Sequence, residues 1–190
     1  RELGRVLRKL RRRAGGVVLI LGARESGKTV LAYRIAQFLG RPTYAVSPAE
    51  KPPSWVFPVD FADIDQLPPG KTLILDDMPL YASSRDYTHK AVKAMERIIP
   101  VCRHEDYRTI LIFISQSSGM GDKWITDAEA VFLKAPNLLY ADIERPAAKK
   151  LFDRAVEAFS GMSDRQKKRC AYLITPQWEG LVSVRMSDRS

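Results

Sequence analysis

A chain of 190 residues, 45% of them hydrophobic, makes one domain of ordinary size that buries about 70% of its unfolded surface and needs no auxiliary staple. Two cysteines, Cys102 and Cys170, exclude a disulfide framework, and neither has a second cysteine at metal-ligand spacing. They read as small core residues of a protein in a reducing cytosol. The longest apolar runs, residues 17–21 and 110–114, are strand-length and fall short of the roughly 20 residues a membrane span requires. No signal peptide opens the chain, and a start on Arg1 rather than Met fits a longer parent.

The net charge of +9 is unevenly placed. Arg1, Arg5, Arg8, Lys9, Arg11, Arg12 and Arg13 stand against Glu2 alone, while Leu3, Val6, Leu7 and Leu10 recur at helical spacing. Residues 1–14 are therefore expected to form a basic amphipathic leader helix, ahead of a domain over 15–190. Its arginine face suits a phosphate backbone, a neighbouring subunit, or simply solvent.

The stretch Val17 to Thr29 organises everything after it. An apolar run ends on Gly22, and Ala23, Arg24, Glu25 and Ser26 lead to Gly27-Lys28-Thr29, which is the phosphate-loop spacing. Gly22 and Gly27 let the backbone turn its N–H groups inward as an anion nest. Lys28 adds a mobile positive charge, and Thr29 a hydroxyl for Mg²⁺. Apolar positions at 30, 31, 35, 38 and 39 before Gly40 predict a helix whose N-terminal dipole points at the same anion.

Thr43 to Val46 predicts a short strand. Four prolines between Ser47 and Pro58 argue against regular structure there, and Trp55 and Phe57 are expected to pack on the core, with flanking an adenine as the alternative. Val59 to Leu67 carries no clear signal. Pro68-Pro69-Gly70 is a turn. Lys71 to Leu75 reads as a strand buried on both faces, and it ends on Asp76-Asp77. An apolar strand finishing in an acidic pair after a lysine loop is the Walker B arrangement, with Asp76 toward Mg²⁺ and Asp77 placed to take a proton from an attacking water. An ordinary turn aspartate is the bland reading.

Met78 to Tyr87 reads as a polar loop and Thr88 to Ile99 as a helix that Pro100 interrupts or ends. The charged segment Arg103 to Asp106 leads into a strand over Thr109 to Ile114, and Gln116 stands at its tip, where a glutamine can hold a water against a γ-phosphate. Val131 to Leu133 reads as a further strand. A helix is expected from Pro146 to about Phe159, with Gly161 beyond its end. Ser163 to Gln166 has capping-box spacing for another, whose Arg165, Lys167, Lys168 and Arg169 read mainly as solvated surface. Tyr172 to Thr175 and Leu181 to Arg185, linked through Pro176 and Gly180, predict a terminal hairpin.

Gly22 to Thr29, Leu73 to Asp77, and Cys102-Arg103-His104 running into Ile110 to Gln116 together resemble the HerA/FtsK superfamily of P-loop ATPases. These are DNA-pumping motors that include viral genome-packaging ATPases and zonula-occludens-toxin-like proteins. The resemblance implies an α/β P-loop NTPase fold: a central, mostly parallel, RecA-like sheet flanked by helices, with the Gln116 strand between the loop and Walker B strands, and a C-terminal hairpin. It implies ATP and Mg²⁺ as cofactors, Lys28 and Thr29 on phosphates and metal, Asp76 supporting the metal, Asp77 as catalytic carboxylate where such motors usually carry glutamate, and Gln116 as γ-phosphate sensor. It further implies a homo-oligomeric ring, hexameric by preference, in which Arg103, or Arg85 as second choice, completes a neighbour's site. The implied work is packaging or translocation of double-stranded DNA in the host cytoplasm or with the virion. DNA would be contacted through the loop at Gly119 to Lys123 and the leader, and a capsid or membrane partner would be engaged through the leader. A nucleotide-gated assembly or secretion factor is the alternative, and a small-molecule kinase a weaker third.

Overall fold

The structure is a computed structural model that describes residues 1–46, 48, 51–76, 97–116, 127–135 and 146–184. The expected loop at Met78 to Tyr87, most of the Thr88 helix, Asp77, Arg85 and the Gly119 to Lys123 loop lie outside the described residues.

Among the described residues eight strands form one sheet: β1 (Gly16–Leu21), β2 (Thr43–Val46), β3 (Val56–Val59), β4 (Thr72–Leu75), β5 (Ile110–Ser115), β6 (Ala130–Leu133), β7 (Cys170–Thr175) and β8 (Trp178–Ser183). Their spatial order is β3-β2-β4-β5-β1-β6-β7-β8. All pairings from β3 to β6 are parallel, while β6-β7 and β7-β8 are antiparallel. The sheet is thus the expected mostly parallel one with an antiparallel C-terminal hairpin. β5 separates the loop strand from the Walker B strand, as the resemblance implies.

β1, β4 and β5 are buried throughout because helices cover both faces of the sheet, which is why their sequences are unbroken apolar runs. Side chains alternate between two cores. Val17, Leu19, Leu21, Leu73, Leu75, Leu111 and Phe113 face one side, with Phe152, Ala155 and Phe159 of α3 (Pro146–Phe159) packed on them. Val18, Ile20, Ile74, Ile110, Ile112 and Ile114 face the other, under α1 (Glu2–Arg12) and α2 (Lys28–Leu39). The leader helix seats Leu7 and Leu10 in that second core and leaves Arg1, Arg5, Arg8, Lys9, Arg11 and Arg12 exposed. A packed helix with a solvated basic face is what the heptad-like spacing of its leucines requires.

Four readings are corrected. The proline-rich stretch is not wholly irregular, since Val56–Val59 forms β3, pairing in parallel with β2. Pro58 is tolerated because β3 has one neighbour among the described strands and an edge strand can spare a donor. Trp55 and Phe57 are not core residues, being 38% and 55% exposed; they rest edge-on against Tyr33 and tilted against Tyr44. The stretch without a clear signal holds a 3-10 helix, Phe61–Gln66, which drops Ile64 into the core. Helical structure at residues 97–101 runs through Pro100, and Gly180, expected in the hairpin link, lies within β8 beneath the Trp178 ring, leaving a turn at Pro176 and Gln177.

The capping box is present. Ser163 starts α4 (Asp164–Lys168), its hydroxyl accepting from the Gln166 N–H at 3.4 Å while the Gln166 side chain accepts from the Ser163 N–H at 2.8 Å. Ser163→Ala is expected to cost about 1 kcal/mol and to lower Tm by roughly 2–4 °C in thermal denaturation followed by circular dichroism.

Candidate functional site

Parallel strands deliver their C-terminal tips to one side of the sheet. β1, β5 and β4 therefore present Gly22, Gln116 and Asp76 side by side, since Leu21 pairs with Ser115, and Leu75 with Phe113. The Gly22 N–H donates to the Ser115 carbonyl at 3.3 Å, which binds the loop's first residue to the stem of Gln116.

From Gly22 the chain cannot continue as a strand. Glu25 and Gly27 take left-handed backbone angles, φ 57° and 86°, and these reversals fold the loop into a concave turn at the start of α2. The Ser26 N–H donates to the Ala23 carbonyl at 3.4 Å and closes the turn. Arg24 and Glu25 point to solvent, Ala23 is half-buried, and Ser26 and Lys28 are buried. Lys28 crosses the loop and donates its Nζ to the Ala23 carbonyl at 2.8 Å. Ser26 Oγ is buried with no hydrogen-bond partner among the described residues. A buried orphan hydroxyl is costly, and a phosphate oxygen is an acceptor of the kind it lacks.

Thr29 and Asp76 are 47 positions apart in sequence and meet directly, the Thr29 hydroxyl donating to Asp76 Oδ2 at 2.8 Å. A hydroxyl and a carboxylate in contact at a helix N-terminus are the oxygen donors a hard divalent cation prefers. The residues present fit a Mg²⁺–triphosphate: an anion nest, a buried ammonium, an orphan hydroxyl and an oxygen pair. Gln116 is half-buried at the next strand tip.

Arg103 is elsewhere. It precedes β5, so in the same protomer it sits at the opposite end of the sheet from Gly22. Its guanidinium donates to Glu129 Oε1 at 2.9 Å and to the Asp127 carbonyl at 3.1 Å, and Arg13 of the leader shares that carboxylate at 2.5 Å. Arg41 stitches the same end, donating to the carbonyls of Arg13, Ala14 and Arg108, and burial pushes its pKa down. Cys102 is fully buried, with its thiol pKa raised chiefly by burial, whereas Cys170 is half-buried.

Sequence reasoning missed one residue at the site. Lys134, just past the tip of β6, is 1% exposed and lies directly under the loop. A single lysine after a short apolar strand gave no signal.

The chain matches no protein-family model and no curated protein. Solved structures do match. B204, the DNA-packaging ATPase from Sulfolobus Turreted Icosahedral Virus, superposes with a TM-score of 0.56 at 12% identity over 89% of this chain and 97% of its own. The pCW3 conjugation coupling protein TcpA gives 0.61 at 9% identity over 92% of this chain. The cytoplasmic domain of the Type VII secretion ATPase EccC of Thermomonospora curvata gives 0.57 at 13% over 88%. This chain spans 60% of the TcpA structure and 23% of the EccC structure. The likeness is one of fold: the chain has the α/β fold of P-loop ATPases. No helix among the described residues is long and apolar enough to cross a membrane.

Proposed function

We propose that this chain is an ATP-hydrolysing motor domain that moves double-stranded DNA, with viral genome packaging as its setting. The observation that carries the ATPase part is the contact of Thr29 with Asp76 beside the folded loop, two groups from distant stretches brought to one strand tip next to Lys28. In this reading the amides of Gly22 to Thr29 wrap the triphosphate tail. Lys28 moves its ammonium from the Ala23 carbonyl to phosphate oxygens, and Ser26 Oγ gains the acceptor it lacks. Thr29 and Asp76 would hold Mg²⁺, which when bound would offset charge on the phosphates. Asp77 takes the proton of the attacking water and Gln116 orients that water for in-line attack. Arg103 would leave Glu129 to serve a neighbour's site across a ring, hexameric by preference.

The DNA part rests on the basic leader. Its exposed arginines and Lys9 line one face of a helix whose other face is locked into the core, and a motor that tracks any sequence needs contacts to phosphates rather than to bases. The loop at Gly119 to Lys123 is the second candidate surface.

The test is steady-state phosphate release with and without duplex DNA, alongside DNA binding across a salt series. A motor is expected to turn over at least about fivefold faster on DNA, with affinity falling steeply as salt rises. Turnover indifferent to DNA, with no binding at low salt, overturns the motor and favours the nucleotide-gated assembly or secretion factor. The fold match to a secretion ATPase supports that second reading.

A further inference from the structure

Lys134 is a buried cation that the mechanism above does not use. Its backbone N–H donates to the Leu21 carbonyl at 2.7 Å, and the Ala23 N–H donates to the Ala135 carbonyl at 3.4 Å, so the chain at 134–135 continues the sheet alongside the opening of the phosphate loop. The side chain then runs beneath that loop. A Cβ built on Gly22, where φ is +155°, would fall 2.8 Å from Lys134 Cβ, and one built on Gly27 would fall 3.8 Å from Lys134 Cε. Both glycines of the motif thus sit over successive parts of one lysine. At the far end Lys134 Nζ donates to the carbonyls of Lys168 and Cys170, each at 2.7 Å. Those carbonyls belong to the corner where α4 gives way to β7. With Gly27, Arg34, Lys168 and Arg169, Lys134 also lines a cavity of about 280 Å³ beside the loop.

A lysine is not needed to fill this space. Burying an ammonium costs free energy unless its donors are satisfied, and an unbranched apolar side chain of similar length would pack under the glycines without that cost. The charge has no carboxylate partner among the ion pairs of the described residues; what it has is two carbonyls on one side and an anion nest above.

We propose that Lys134 is a positioning residue of the nucleotide site. Its side chain forms the floor of the phosphate loop, and its charge clamps that floor to the α4–β7 corner and adds to the field that holds a triphosphate tail. The inference rests on the nucleotide-site reading given above.

Its signature is a pH dependence whose direction a purely structural role does not share. Burial, reinforced by Arg34 of α2 and opposed by Cys170 of β7, lowers the Lys134 pKa to about 8; Lys168 and Arg169 of the α4 corner also face it. A lysine whose pKa is lower folded than unfolded disfavours folding while it is charged, so stability rises with pH from about 8 upward. Nucleotide affinity should move the opposite way, falling as the charge is lost.

The experiment is titration of the intact chain with a fluorescent ATP analogue and Mg²⁺ between pH 7.5 and 9.5, with melting temperatures measured in parallel. Wild-type affinity is expected to fall about tenfold across the range, a coupling of ordinary size, while the melting temperature does not fall. Lys134→Met is expected to bind about tenfold more weakly at pH 7.5 with a flat profile. Lys134→Arg is expected to restore affinity and to stay flat, because guanidinium keeps its charge. Cys170→Ser is expected to keep the wild-type fall, which assigns it to the lysine and not the thiol. If Lys134→Met does not fold, the Lys134→Arg profile decides. A Lys134→Arg profile that falls as wild type does, or a folded Lys134→Met that binds like wild type with the wild-type profile, overturns the proposal while leaving the nucleotide site standing. A wild-type protein that binds no ATP overturns the site itself, and this inference with it.

Discussion

Lys28→Ala is expected to lower steady-state ATP turnover by about a hundred- to a thousand-fold, the loss found when one preorganised donor is taken from developing transition-state charge. Two features make the effect large. Lys28 is 7% exposed, so it acts in a site where water screens poorly, and its ammonium is already held over the loop by the Ala23 carbonyl at 2.8 Å. Its position costs little to reach at the moment of reaction. Alanine would remove the charge and also leave the Ala23 carbonyl without that donor, so binding of ATP should weaken together with turnover. Phosphate release under saturating nucleotide, with circular dichroism to confirm folding, checks this; turnover equal to wild type would remove the catalytic assignment.

Gly15→Ala carries the largest expected effect on stability. Gly15 precedes β1, and a Cβ there would lie 1.9 Å from the Cys102 carbonyl oxygen and 2.8 Å from that of Thr109. Neither obstacle is the end of a flexible side chain. The Cys102 oxygen also accepts from the Thr109 N–H at 2.8 Å, and the Thr109 oxygen from the Gly16 N–H at 3.1 Å, so relief of the clash must pull apart the seam between β1 and β5. The cost is expected to be about 3 kcal/mol or more, a fall in Tm of roughly 6–12 °C for a chain of this size. A melting curve that coincides with wild type would show that the two backbones do not approach as closely as described.

The central strands could be read from sequence because burial on both faces leaves no room for polar residues, and β1, β4 and β5 are continuous apolar runs for that reason. The loop was equally legible, since its glycines and lysine have fixed spacing, and the acidic end of the β4 run singled out Asp76, which lies in direct contact with Thr29. What stayed hidden depends on residues far apart in the chain. Gly15 owes its identity to the turn that leads into β5 and packs against it. Lys134 is intelligible only once the carbonyls of Lys168 and Cys170 have been folded back onto it, more than thirty residues later in the sequence. β3 was obscured by its own Pro58, because a strand with one neighbour obeys looser rules than a strand with two. The distance between Arg103 and the loop in a single protomer follows from the parallel direction of β5, which fixes the ends of the sheet but not what a second subunit brings to them.

The proline in β3 also bears on how the protein behaves at high concentration. Phe57 is 55% exposed on a flank with no neighbouring strand among the described residues, the combination by which proteins recruit one another through sheet edges. Residues 56–59 offer an intruding chain only four positions, and at one of them there is no hydrogen to give. That flank is a poor template for runaway self-addition, and solubility is guarded there by a missing atom rather than by charge.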